Sequence, residues 1–189
     1  MRTPNKRNAL SVLTPLALAV ATLGAAQVQA ADKLLLKTPT AFPSKLPAVG
    51  TPVVKLADTL KMTSGGSIRM KIYEPGKLIA PSEILDAVSA GKVNSGFAAS
   101  ANWQGKMPAA AFFTSVPFGP EASEFLAWMY YGNGRKLHQE MYDESGYNVK
   151  AIPCGMIPPE TSGWFAKPID TVEDLKGLNM CFYGLGANV

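Results

Sequence analysis

A chain of 189 residues, 47% hydrophobic and 17% charged, has ordinary globular composition and enough length for one core, leaving a second domain small or incomplete. Its 18 Lys and Arg against 14 Asp and Glu give +4, but Arg2, Lys6 and Arg7 all lie in residues 1–30. Without that segment 15 basic residues face 14 acidic ones, and no basic patch of the kind a nucleic acid requires is visible.

The first thirty residues read as a targeting segment. Arg2, Lys6 and Arg7 form a positive start, Ala9 to Ala26 is an apolar run, and Val28-Gln29-Ala30 supplies small residues where a signal peptidase cuts. Pro15 and the lack of a second charge cluster favour a cleaved secretory signal over an anchor. No later stretch approaches the ~18 apolar residues of a membrane span. The expectation is an exported, periplasmic protein.

Beyond it, strands and helices alternate. Lys33 to Thr38 is an apolar run with charged ends, expected as a buried strand, and Pro39 and Pro43 bracket the following loop. Val49, Val53, Leu56 and Leu60 fall on one helical face, which Gly65-Gly66 ends. Ile68, Met70 and Ile72 alternate with Arg69, Lys71 and Tyr73 as in a strand, and Glu74-Pro75-Gly76 turns the chain. Ser82 to Ala90 reads as a helix stopped by Gly91, and Phe97-Ala98-Ala99 as a third strand.

Helices are expected from Ala122 to Tyr131 and from Leu137 to Tyr142, and a strand from Val149 to Ile152. Pro158-Pro159 forbids regular pairing, and a domain crossing is placed near Pro153–Pro159. The last stretch reads as a strand over Gly163 to Lys167, a short helix from Thr171 and another strand from Leu178. Thr171 and Asp174 are spaced for a capping box, and Gly177 closes the helix. Repeated strand–helix–strand units argue a mostly parallel sheet flanked by helices, with ligands taken beyond the carboxyl ends of its strands. Those ends are the Thr38–Pro43 loop, the Tyr73–Leu78 turn and the Ser100–Lys106 segment.

The chemistry-bearing residues are few. Trp103 and Phe42 sit just past strand ends and are candidate cleft walls, with packing under a loop as the alternative. Trp164 is expected in the core, His138 facing solvent on a polar-flanked helix, and Met107, Met129 and Met141 filling gaps. Cys154 and Cys181 are too few for a disulfide framework. A thiol hydrolase would need Cys181 or Cys154 paired with His138, the only histidine, and their spacing offers no support.

The run "GWFAKPIDTVEDLKGLNMCFYGLG" resembles the core motif of the DctP family, the extracytoplasmic solute receptors of TRAP transporters. Earlier blocks are similar in order and spacing: Tyr73-Glu74-Pro75-Gly76-Lys77-Leu78, Asn102-Trp103-Gln104-Gly105-Lys106-Met107-Pro108, and Pro117-Phe118-Gly119. Residues 158–165, Pro-Pro-Glu-Thr-Ser-Gly-Trp-Phe, are similar to members that take 2-oxo acids or related monocarboxylates. The resemblance implies a periplasmic-binding-protein-like, two-lobed "venus flytrap" that binds rather than turns over an organic anion and hands it to a TRAP membrane permease. Residues 1–30 would be the signal, 31–153 the first lobe, and 154–189 the start of a second lobe left incomplete, since family members run to about twice this length. A sensory binding domain using the same cleft is the rival reading.

Two site residues follow from the resemblance. The family's "KMR" strand carries an arginine that grips the substrate carboxylate through two parallel hydrogen bonds. Here the strand reads Asn179-Met180-Cys181, and a thiol is only a weak donor. Glu160 matches a residue that in 2-oxo-acid receptors helps hold a monovalent or divalent cation beside the ligand, while a solvated loop glutamate is the plain alternative. No other cofactor is implied.

Overall fold

Strands β1 (Leu34–Pro39) and β2 (Ile68–Tyr73) pair in parallel from Leu34 opposite Ile68 to Pro39 opposite Tyr73. This arrangement comes from a computed structural model that describes residues 33–157, 163–180 and 182–185. Parallel neighbours need a crossover, and helix α1 (Thr51–Thr63) provides it, packing against β2. Pro52 sits in the first turn of α1, where the missing N–H has no partner to lose. Val53 is fully buried, with Val49, Leu56 and Leu60 half-buried on the face that the periodicity assigns.

The other edge of β1 is held differently from expectation. Phe97 makes one parallel bridge, to Thr40, through Phe97 N–H to Pro39 O (3.0 Å) and Ala41 N–H to Phe97 O (2.9 Å). Below it the partner strand is replaced by side chains. Asn94 accepts from Lys37 N–H at 2.7 Å and donates to Leu35 O at 2.8 Å, so one carboxamide stands in for a peptide unit. Ser95 continues the substitution on Thr38, hydroxyl to hydroxyl at 2.7 Å. The expected strand Phe97–Ala99 is thus a single bridge preceded by a side-chain rung.

A 3-10 turn (Pro81–Glu83) leads into α2 (Ile84–Ser89), as the sequence predicts. Turns at Ser100–Trp103 and Pro108–Phe113 follow, then α3 (Ala122–Tyr131) and α4 (Gly134–Glu144). Glu121 and Glu124 form a reciprocal capping box at the start of α3. The core gathers Ile84 and Leu85 of α2, Trp103, Met107 and Ala110 of the two turns, and Met141 and Tyr142 of α4. Burying a side chain such as Ile84 stabilises the fold by roughly 1.5–3 kcal/mol. Met107, Met129 and Met141 are all buried, as gap-fillers should be.

Several expectations are corrected. Leu34 and Leu35 lie about half exposed, so only the carboxyl end of β1, Thr38 to Thr40, is a buried strand. Val149–Ile152 is extended but not a strand: the Gln139 carboxamide donates to Val149 O (2.8 Å) and accepts from Ala151 N–H (3.0 Å), occupying the place of a neighbouring ladder. Gly163–Lys167 and the described residues after Leu178 form no strand either, since pairing needs a partner and none lies beside them among the described residues. Trp164, expected in the core, is 95% exposed for the same reason.

The short helix survives as a 3-10 turn, Val172–Leu175. Its Thr171–Asp174 capping box is present, with Thr171 N–H and hydroxyl both donating to Asp174 at 2.8 Å, and Gly177 follows at φ +79°. The export signal expected over residues 1–30 lies outside the described residues. Among the described residues no helix is long and apolar enough to cross a membrane.

Candidate functional site

Two of the loops expected at the carboxyl ends of the strands are tied together at Thr40, which also takes the bridge from Phe97, three residues before the third loop begins. The Thr40 side chain is wholly buried. The hydroxyl donates to Phe42 O (2.9 Å) and Tyr73 O (3.1 Å), and the backbone N–H reaches Tyr73 O at 3.0 Å. One residue therefore closes the β1 loop on itself, ties it to β2, and takes the Phe97 bridge on its other side. A second stitch lies further out, where the Glu74 carboxylate accepts from the Ser44 N–H at 3.1 Å and from the Ser44 hydroxyl. Those bonds favour the ionised form and hold the Glu74 carboxyl below its ordinary range.

Phe42 is half-buried on this first loop. Trp103 ends the third, in the turn Ser100–Trp103, and is only 8% exposed. Its ring meets Tyr142 edge to face, with centroids 6.3 Å apart. The indole Nε1–H, though buried, has no hydrogen-bond partner among the described residues, and neither do Gln104 Oε1, Thr114 Oγ1 and Ser115 Oγ. Unpartnered buried donors and acceptors cost about 1–3 kcal/mol each unless something else meets them.

The segment after Leu178 reaches the same end of the molecule. The Tyr183 hydroxyl donates to Asn102 Oδ1 at 2.8 Å. Gly184, at φ +63°, lies so close to the chain after the second turn that a Cβ would fall 1.9 Å from Ser115 Oγ; only glycine allows that approach. Cys181 and Glu160 themselves lie outside the described residues. Gly163 to Ile169, with Leu175, Met180 and Phe182, line an open groove of about 730 Å³ whose walls include Trp164 and Phe165.

His138 was expected to face solvent, and it does not. Its Nε2 lies 2.9 Å from Ser100 Oγ and its ring stacks on Phe113, centroids 4.5 Å apart. Burial holds its pKa below the ordinary histidine value. The sequence did hold a signal for this: His138 and Tyr142 are one helical turn apart, on the side of α4 that carries Met141 into the core. The rival thiol chemistry finds no support here, because the only histidine is engaged by Ser100 and Cys154 is a free thiol bonded to Ile152 O at 3.2 Å. Among the described residues there is no group of three or more His, Cys, Asp and Glu side chains placed to hold a metal ion.

Loops converging beyond the carboxyl ends of parallel strands define a ligand-binding α/β lobe. Residues 42–183 match the family model for the bacterial extracellular solute-binding protein, family 7 (DctP), and the chain belongs to that family. It is 44% identical over 131 residues to a monocarboxylate 2-oxoacid-binding periplasmic protein of Nostoc, covering 68% of this chain and 35% of that one. Among solved structures it is similar to a TRAP periplasmic solute-binding protein of Pseudoalteromonas atlantica with bound sodium and pyruvate, at 36% identity and a TM-score of 0.75, over 83% of this chain and 47% of that one. A TRAP transporter solute-binding protein of Bordetella bronchiseptica, with calcium and picolinate in its active site, matches at 29% identity and a TM-score of 0.76, over 83% and 46%. The chain thus spans about half the length of the solved relatives, and about a third of the Nostoc protein.

Proposed function

We propose that this chain is the periplasmic substrate-binding part of a TRAP transporter, capturing a small organic acid of the 2-oxo-acid class and delivering it to a membrane permease. The observation that carries the reading is a pair of ties among the loops after the strands: the Thr40 loop to Tyr73 and Glu74, and the Ser100–Trp103 turn to the Tyr183–Gly184 segment through Asn102. The relatives' sodium, calcium, pyruvate and picolinate support the ligand class. Binding alone would be its work, since a receptor closes when its ligand touches both lobes and so favours the closed state.

Trp103 and Phe42 wall the mouth in this reading, Phe42 half-buried on the first loop and Trp103 packed against Tyr142. Cys181 stands at the carboxylate-gripping position, and Glu160 contributes to a cation beside the ligand together with residues beyond the described ones. Residues 1–30 serve as the cleaved export signal, 31–153 as the first lobe and 154–189 as the opening of the second.

Calorimetric titration with pyruvate, in sodium and then in calcium, tests the reading. Replacing the gripping arginine by cysteine costs ~2–5 kcal/mol, as for truncating one side of a buried charge pair. Cys181→Arg should therefore tighten binding roughly thirtyfold to several thousandfold. If neither form binds any 2-oxo acid, the reading falls; if both bind equally, the role of position 181 falls.

A further inference from the structure

Ser100, His138 and Tyr142 are joined beneath the turn that presents Trp103, and none of the contacts described above gives this group a task. Ser100 Oγ lies 2.9 Å from His138 Nε2 and 3.2 Å from the Tyr142 hydroxyl. Ser100 and Tyr142 are 6% and 3% exposed. Phe113 covers one face of the imidazole, Tyr142 lies tilted against it at 5.2 Å, and the far side of Tyr142 meets the edge of Trp103. The group therefore connects α4 to the first and last residues of the turn Ser100–Trp103.

Counting donors decides what it does. A serine hydroxyl gives one proton and accepts others. With His138 neutral and Nε2 bare, Ser100 donates to Nε2 and Tyr142 donates to Ser100, so both hydroxyl protons find an acceptor within the group. With His138 protonated, Nε2–H donates to Ser100 and no bare nitrogen remains, so one of the two hydroxyl protons, that of Ser100 or that of Tyr142, is left without an acceptor among the three residues. A partly buried imidazolium beside an orphaned hydroxyl is unfavourable on both counts.

Among the described residues no charge offsets this. The turns Ser100–Trp103 and Pro108–Phe113 carry no ionisable side chain. Glu124 of α3 caps Glu121. On α4 itself Arg135 lies over Tyr130, Lys136 pairs with Glu140 at 3.5 Å, Asp143 accepts from Gln139, and Glu144 is exposed.

We propose that His138 is a positioning residue: in its neutral form it fixes the Ser100–Trp103 turn through Ser100 and Tyr142, and so sets the place of Trp103 at the cleft mouth, releasing it on protonation. The consequence for ligand capture rests on the proposed function above; the coupling of His138 to Trp103 does not. Burial alone depresses the histidine's pKa. A depressed pKa means the neutral form's contribution is complete above pH 6.5 and is lost as pH falls through the folded-state value.

Because His138 is the sole histidine, its ring protons are directly readable by NMR during a pH titration, alongside the Trp103 indole N–H, assigned by its disappearance in Trp103→Phe. The expected result is that both signals move with one midpoint below about 6.5. Ser100→Ala should leave the depressed midpoint, which burial sets, but uncouple the indole signal from it, and Ser100→Thr should restore the coupling. An indole signal that stays still while His138 titrates overturns the proposal, as does one that still follows the His138 midpoint in Ser100→Ala. Pyruvate titrations in sodium at neutral pH and below the midpoint form a separate arm. Weaker binding at the lower pH, in the wild type and not in Ser100→Ala, supports the link to capture. Absence of pyruvate binding at both, with the NMR coupling intact, counts against the proposed ligand and leaves the positioning role established.

Discussion

The hydroxyl of Tyr183 donates to Asn102 Oδ1 at 2.8 Å, joining residues 81 apart in the chain. It is a direct tie between the turn that carries Trp103 and the segment two residues beyond Cys181. Tyr183→Phe keeps the ring and removes this bond. A net loss of about 1 kcal/mol is expected, seen in urea as a lower midpoint with an unchanged slope. An unchanged midpoint would mean that water replaces the bond at no cost.

Gly96 precedes the residue that bridges to Thr40. A Cβ there would lie 2.4 Å from Ile84 Cγ2 and 3.3 Å from Val88 Cγ2. Ile84 is 2% exposed and has no room to retreat. Gly96→Ala should therefore destabilise the fold by about 1–3 kcal/mol, the usual range for overpacking, and thermal or urea unfolding measures it. Gly105→Ala is the control, because nothing lies within 4 Å of a Cβ built there.

The strands and helices that the sequence predicted correctly are those whose signal is local. The alternation in Ile68–Tyr73, the face of Val53 and its neighbours, and the run Ala122–Tyr131 each carry their own period. Four strands were expected where the structure has a bridge or none, and the reason is that a strand is a relation between two segments. Phe97 and Val149 have the right composition, but side-chain carboxamides of Asn94 and Gln139 sit where backbone partners would be. Polar residues flanking His138 suggested a wet helix face, yet Gln139 and His138 are turned inward to bond Ala151 and Ser100. Of the site, Trp103 and Phe42 were legible as residues past strand ends; the Thr40 fastening and the Ser100 group were not, since hydroxyl contacts between distant segments leave no periodic trace.

Gln139→Leu tests the idea that a side chain substitutes for a strand. It keeps most of the volume but leaves Val149 O and Ala151 N–H without their partners. A loss of roughly 1–3 kcal/mol is expected, with faster amide exchange at Ala151 than in the wild type. Exchange at Ala151 as slow as before would show that the segment is held by something else.

The Glu74–Ser44 stitch predicts an acid-sensitive loop pair. Hydrogen bonds from Ser44 lower the Glu74 pKa from 4.5. The stabilisation is present above that value and is lost as pH falls through the lower folded-state value. Ser44→Ala should remove this part of the pH dependence. Comparing urea midpoints of the two proteins across the acid range checks it: the curves should differ above pH 4.5 and converge at low pH. Parallel curves would sink the assignment.

Of the chain's three tryptophans, Trp164 at 95% exposure and Trp103 at 8% are optical gauges of opposite setting, with the half-buried Trp128 between them. The first emits from water and is open to a dissolved quencher such as iodide; the second emits from a dry interior and is shielded. Whatever comes to lie over the groove beside Phe165 and Phe182 will shift the first toward the blue and protect it, while leaving the second unchanged.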